Sequence, residues 1–209
     1  MESGGFSYSL SLKKYEREVI LLAFILFILS GLALSPMDFG INLASSWDLL
    51  FYLILPLLFV IIVHEALHAL TAKLFGAKVE FGISVFGKVN LAPYIAVRTP
   101  LRKKKWMYII IAPVLLSIIA YILAFTLQSP WWGIVFVFNT SGLAGDLLVL
   151  LIISKMPDDA LIVDEGVVMK STHEFPRISR RVSMIIKILA LALLFYIISK
   201  FRVEVVVER

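Results

Sequence analysis

Apolar positions in this chain come in long blocks rather than at a helical or strand period, and the polar residues gather between the blocks. An uncharged run from Val19 to Ser35 follows the charged stretch KKYERE, and a second apolar run opens at Leu49, passes Pro56 and ends near Ala72. From Trp106 to Gly145 no residue is charged. A crossing takes roughly 20 apolar residues, so this stretch is too long for one and suits two with a turn at QSPWWG. A last run covers Val182 to Ser199, with Lys187 close enough to one end to snorkel.

The pattern predicts an all-α polytopic membrane protein with about five transmembrane helices, over residues 18–36, 48–72, 105–128, 130–154 and 182–200, in a single membrane domain spanning 1–209. Ser129 and Pro130 read as the N-cap and first position of the fourth helix, with Trp131 and Trp132 at the interface. Pro56 and Pro113 are expected to bend their helices. The first run is longer than the roughly 7 to 15 apolar residues of a signal peptide, and LALSP would leave a proline after the cut, so a retained helix is expected.

Between the second and third helices, GAKVEFGISVFGKVNLAPYIAV has glycine punctuation and short runs rich in Val, Ile, Phe and Tyr, which predict a β-hairpin or a pair of hairpins near the cytoplasmic interface. The mixed-charge stretch Met156 to Arg181 reads as a small cytoplasmic segment rather than a separate domain. The tail FRVEVVVER alternates as an exposed strand would, or is disordered.

Composition agrees with a membrane protein: 60% of residues are hydrophobic and the mean hydropathy is +0.95. The net charge of +5 does not point to nucleic acid, because the basic residues sit in alternate loops. Lys13, Lys14 and Arg17 precede the first helix. Eight Lys and Arg, from Lys73 to Lys105, lie in the loop 73–104 and at its edges, and five more, from Lys155 to Arg181, in the loop 155–181. Pro36 to Trp47 and the turn around Gln128 to Trp131 have none. The positive-inside rule then puts the N-terminus in the cytoplasm and the C-terminus outside, in a multi-pass protein of the cell membrane. With no cysteine there are neither disulfides nor thiolate ligands, so a metal must be held by histidine and carboxylate.

Inside the second apolar run stands HEALH, with His64, Glu65 and His68 in the H-E-x-x-H pattern. Residues four apart share a helix face, so both imidazoles can reach one ion while Glu65 lies beside the open coordination position. Zinc held by N and O ligands lowers the pKa of a water toward about 7, and the glutamate takes its proton during attack on a carbonyl. Each ionisable group at mid-membrane costs on the order of 2.5 to 3.5 kcal/mol, and a divalent cation is the partner that offsets three of them together.

Depth selects a third ligand. Asp146 is the one acid in the otherwise uncharged stretch from Trp106 to Ser154, and lies nine residues before Lys155, just as His64 lies nine before Lys73. At about 1.5 Å per residue both are roughly 13 Å inside the basic edge of neighbouring helices. His173, in the charged stretch KSTHEFPR, is the rival ligand. Asn139, seven residues before Asp146 on the same helix face, is a candidate catalytic group that would donate a hydrogen bond to the oxyanion, or equally an interhelical contact among the small residues of NTSGLAG.

HEALHAL, the proline-bearing APVLL, NTSGLAGD and MPDDALIVDEG together resemble a family of zincin peptidases classed among the domains of unknown function, over roughly Pro56 to Gly166. More distantly they are similar to intramembrane metalloproteases of the site-2 protease type, although this chain lacks the proline between Asn139 and Asp146 and has a glycine before the aspartate rather than after it. The resemblance implies that His64, His68 and Asp146 ligate Zn2+ and that Glu65 is the general base. It also implies that a strand such as VEFGISVF pairs with unfolded substrate.

The expectation is therefore a zinc-dependent peptidase acting in or near the membrane on a protein or peptide substrate, with the lipid bilayer as its surroundings, no nucleic-acid partner and an open oligomeric state. The alternatives are a non-enzymatic metal-binding scaffold or sensor, and a metal or ion transporter.

Overall fold

The computed structural model describes residues 5–37, 40, 44–86, 90–166 and 168–200. Five helices dominate it: α1 (Glu16–Ala33), α2 (Ser46–Leu74), α3 (Lys103–Leu127), α4 (Pro130–Ile153) and α5 (Arg180–Lys200). The last four are long and apolar enough to cross a membrane. The 18 residues of α1 include Glu16, Arg17 and Glu18 at its start, which leaves a shorter apolar stretch.

Local chemistry explains where these helices start and break. A capping box opens α2: Ser45 Oγ accepts the Asp48 N–H at 3.2 Å, and the Asp48 carboxylate accepts the Ser45 N–H at 2.9 Å. Pro56 has no N–H for the preceding turn, and α2 widens into a π-helical segment, Leu50–Ile54, just before it. Pro113 divides α3 into Lys103–Ile111 and Val114–Leu127. Lacking an N–H, it cannot bond the Ile109 carbonyl four residues back, which receives from its own helix the tighter contact of the Ala112 N–H at 3.3 Å. Next to Gly142, a turn at Leu143 divides α4 into Pro130–Gly142 and Ala144–Ile153.

The first half of α4 packs against α1, α2 and α3. Val60 of α2, Leu116 and Ala120 of α3 and Val135 of α4 form one buried cluster; Ile25 of α1 joins Ile186 and Ala190 of α5 in another. Away from these seams the helices keep large apolar side chains on their outer faces, among them Ile62, Leu127 and Phe195.

The expectation of an all-α fold with one short hairpin needs correcting. The predicted hairpin stretch forms β2 (Val79–Phe86) and β3 (Asn90–Arg102), but these belong to a five-stranded antiparallel sheet with β1 (Tyr8–Leu10), β4 (Leu161–Asp164) and β5 (Met169–Ser171), in the order β1-β5-β4-β3-β2. Segments far apart in the sequence thus meet: Tyr8 pairs with Ser171, Ile162 with Ser171 and Leu101, and Asp164 with Val97. The stretch 156–181 supplies two of the five strands and is continuous with the rest of the fold. The tail from Phe201, read above as a strand or disordered, lies outside the described residues.

Side chains from three helices seat the sheet. Its buried Leu10, Ile95, Val97 and Ile162 pack with Ala69 and Ala72 of α2, Trp106 and Ile109 of α3, and Ile152 and Ile153 of α4. Trp106 Nε1–H donates to the Ile162 carbonyl at 2.8 Å, and the Lys103 ammonium donates to the Met156 carbonyl at 2.7 Å and the Asp158 carboxylate at 2.8 Å. Across the hairpin the Tyr94 ring lies over Gly82, its register partner, and over Gly166 of the β4–β5 turn. A Cβ at Gly166 would overlap that ring, and its φ of +92° also favours glycine. The sheet therefore sits against the C-terminal end of α2, one to two turns beyond HEALH.

Candidate metal centre

His64 and His68 stand one turn apart on α2 with ring centroids 5.0 Å apart. Asp146 comes from the first turn of the second half of α4, where a helix N-terminus favours negative charge. His64 Nε2 is 3.0 Å from Asp146 Oδ2, and His68 Nε2 is 3.4 Å from Asp146 Oδ1. Among the described residues, these three supply the one cluster of potential metal ligands, with ligand atoms within 4.8 Å of one another and no fourth protein ligand. Side-chain exposures of 12%, 14% and 22% leave the cluster nearly enclosed yet reachable.

The donor set fits a zinc ion. His68 Nδ1 lies 2.7 Å from the Ile109 carbonyl, which can only accept, so Nδ1 carries the proton and the neutral ring presents an Nε2 lone pair to Asp146. A lone pair facing a carboxylate is repulsive unless a cation or an added proton lies between them. Asp146 Oδ2 is buried and has no hydrogen-bond partner with good geometry, despite its closeness to His64 Nε2. An orphaned anionic oxygen of this kind is costly unless a cation satisfies it. Tetrahedral zinc with bonds of about 2.0 to 2.1 Å holds its N and O ligands about 3.3 Å apart, close to the separations seen here.

Ile109 is available to His68 because of Pro113, which leaves that carbonyl without its usual helical donor. Asn139 is fully buried between three helices. Its Oδ1 lies 3.0 Å from His64 Nδ1, and its amide donates to the Pro113 carbonyl at 2.9 Å and to Ser117 Oγ at 2.8 Å. Both amide protons are engaged, so none is left for a reacting oxyanion. The geometry gives Asn139 a contact with His64 of the candidate cluster together with two bonds to α3, the kind of interhelical contact weighed beside the oxyanion role.

Glu65, partly buried on α2, makes no side-chain hydrogen bond among the described residues, which leaves its carboxylate available. His173 is not part of the cluster: half-exposed on the loop after β5, it lies 3.1 Å from Thr172 Oγ1 and 3.9 Å from Asp159 Oδ1.

Three participants were not singled out from the sequence: the Ile109 carbonyl, Ser117 and Asp164. For Ile109 a signal exists in Pro113 four residues later; Ser117 and Asp164 carry none. Asp164, on β4, accepts the Gly166 N–H at 2.8 Å. Burial, and then the neighbouring Glu65 carboxylate, push its pKa up to about 6 against the pull of the Gly166 N–H. The folded protein therefore holds this proton more tightly than the unfolded chain. The resulting stability is full below the unfolded value of 3.8 and is lost as pH rises to about 6. Asp164→Asn is accordingly expected to leave thermal stability unchanged near pH 4 and to raise it above pH 6, by at most about 3 kcal/mol. Thermal unfolding in detergent at both pH values checks this, and a variant less stable than the native protein at pH 7 would contradict it.

Comparison with known proteins gives the chain its relatives. An uncharacterised 24.7 kDa protein of Pyrococcus woesei is 44% identical over 205 residues, covering 98% of this chain and 91% of that protein. No solved structure matches. A family described as "Putative zincin peptidase" matches residues 57–161, a stretch that holds both histidines, Glu65, Asn139 and Asp146, and the chain belongs to that family.

Proposed function

We propose that this protein is a zinc-dependent peptidase that hydrolyses a polypeptide within or beside the membrane, on the cytoplasmic side. The observation that carries the reading is the convergence of two imidazole nitrogens and a carboxylate on one point, with no fourth protein ligand among the described residues and with Glu65 adjacent. Structural zinc sites close all four positions with protein groups, whereas catalytic sites keep one open. This favours an enzyme over a metal-binding scaffold. Family membership supports the same class of activity.

His64, His68 and Asp146 would hold the ion. Bound there, zinc would acidify a water and polarise the scissile carbonyl. Glu65 takes the water's proton as the C–O bond forms, then returns it to the amide nitrogen as the C–N bond breaks. The enclosure of the three ligands keeps bulk water away and strengthens each electrostatic contact.

The five-span topology, with α1 also crossing, the N-terminus cytoplasmic and the C-terminus outside, belongs to this reading and rests on the distribution of Lys and Arg. It places the sheet on the cytoplasmic side. There β2 is an edge strand, paired among the described strands only with β3. A helix must open before its peptide bonds can be attacked, and an extended segment added to β2 would hold the opened chain near α2.

The test is metal removal from purified protein in proteoliposomes containing an unfolded, membrane-tethered reporter polypeptide. Chelation is expected to abolish cleavage, and stoichiometric zinc to restore it. Cleavage at the original rate by metal-free protein would refute the mechanism.

A further inference from the structure

We propose that Asn139 and the helix break at Pro113 form one positioning device that fixes the tautomer of both histidines, so that each presents its Nε2 to the same cation. The inference rests on the reading of His64, His68 and Asp146 as a metal centre.

A side-chain amide can be turned either way, but here its surroundings decide. The Pro113 carbonyl has no hydrogen to give, so the atom 2.9 Å from it must be the amide nitrogen. That turns Oδ1 toward His64, 3.0 Å from Nδ1. An amide oxygen accepts and cannot donate, so the His64 proton resides on Nδ1 and the lone pair on Nε2, where Asp146 lies 3.0 Å away. The second amide proton goes to Ser117 Oγ, which also lies 2.9 Å from Thr140 Oγ1, so the serine hydroxyl can accept from Asn139 and donate to Thr140.

On the other histidine the same proline acts without an intermediary. With no N–H at position 113, the Ile109 carbonyl is free to accept from His68 Nδ1 at 2.7 Å. Both contacts are made at one place in α3: the Ile109 carbonyl, left without the N–H of residue 113, sets His68 directly, and the Pro113 carbonyl, which also accepts the Leu116 N–H at 3.0 Å, sets His64 through Asn139. A regular α3 would engage the Ile109 carbonyl with the N–H of residue 113. The full burial of Asn139 keeps water from competing for any of its bonds.

The test compares zinc affinity, by competition with a chromophoric chelator, for the full-length detergent-purified protein and for Asn139→Leu, Asn139→Asp and Ser117→Ala, each with its unfolding profile. Removal of a partner behind a ligand histidine costs roughly 10- to 100-fold in metal affinity, which is the loss expected for Asn139→Leu. Asn139→Asp is expected to recover most of it, since a carboxyl group there can accept from His64 and, when protonated, donate to the Pro113 carbonyl. A purely structural role orders the pair oppositely: the apolar, similar-sized leucine would be tolerated and the buried carboxyl would be the damaging change. Ser117→Ala removes one anchor of the amide and should weaken zinc in the same direction by a smaller factor, which provides the test if Asn139→Leu does not fold.

Folded Asn139→Leu or Ser117→Ala with native zinc affinity, or an Asp variant weaker than the Leu variant, would overturn the proposal while leaving the metal centre standing. A native protein that takes up no zinc would overturn both. The expected order of affinities in a protein that cleaves no polypeptide would uphold the positioning device and reject the peptidase.

Discussion

Asp146→Ala is expected to lose zinc while the fold persists. In the proposed centre the aspartate is the ligand that would tie α4 to α2, with one oxygen facing each histidine, at 3.0 and 3.4 Å. Groups behind the ligands already account for roughly 10- to 100-fold in affinity, so removing a ligand itself should cost more than about 100-fold. The effect on stability has the opposite sign in metal-free protein. There Asp146 Oδ2 is buried without a hydrogen-bond partner, and the substitution takes away that unsatisfied oxygen. Metal-free Asp146→Ala should thus unfold at a temperature no lower than the metal-free native protein, whereas added zinc should raise the melting temperature of the native protein alone. Metal content after dialysis and thermal unfolding with and without zinc measure both effects. Full zinc occupancy in Asp146→Ala would remove the aspartate from the ligand set.

Glu65→Gln is expected to separate binding from chemistry. Glutamine has nearly the same shape, and position 65 lies outside the cluster formed by His64, His68 and Asp146, so one zinc per chain should be retained. What is lost is the group that accepts a proton from water and returns it to the leaving nitrogen. General acid–base participation is worth about 10²- to 10⁴-fold, and a fall of that size in the cleavage rate at constant zinc content is the expected result. Parallel loss of zinc would instead make Glu65 a ligand, and an unchanged rate would require a different base.

These expectations show where sequence was informative. The convergence of His64, His68 and Asp146 was legible because a bilayer makes ionisable residues conspicuous: two histidines and an aspartate stand in otherwise apolar runs, and counting from the flanking lysines put His64 and Asp146 at one depth. The helices were legible for the same reason, and the observed α2, α3 and α4 each end within about two residues of the boundaries expected from block length.

The sheet was only half legible. VEFGISVF and NLAPYIAV are long enough to carry a strand signature, but Tyr8–Leu10 and Met169–Ser171 are three residues each, too short for any period to emerge. Their pairing depends on segments more than 160 residues apart meeting at Tyr8 and Ser171. Asn139 illustrates a different limit. Its place on the face of Asp146 could be counted, but which of its atoms met which partner depended on the carbonyl of Pro113 in another helix, a residue read from the sequence only as a bend.

The most direct test of the metal centre is an anomalous difference map at the zinc absorption edge from crystals of the full-length protein grown with zinc. One strong peak is expected, within bonding distance of His64 Nε2, His68 Nε2 and an Asp146 oxygen, with its remaining position open to solvent. A peak lying elsewhere, or one whose fourth position is closed by a protein side chain such as His173, would contradict a catalytic metal centre and leave a structural or sensing site in its place.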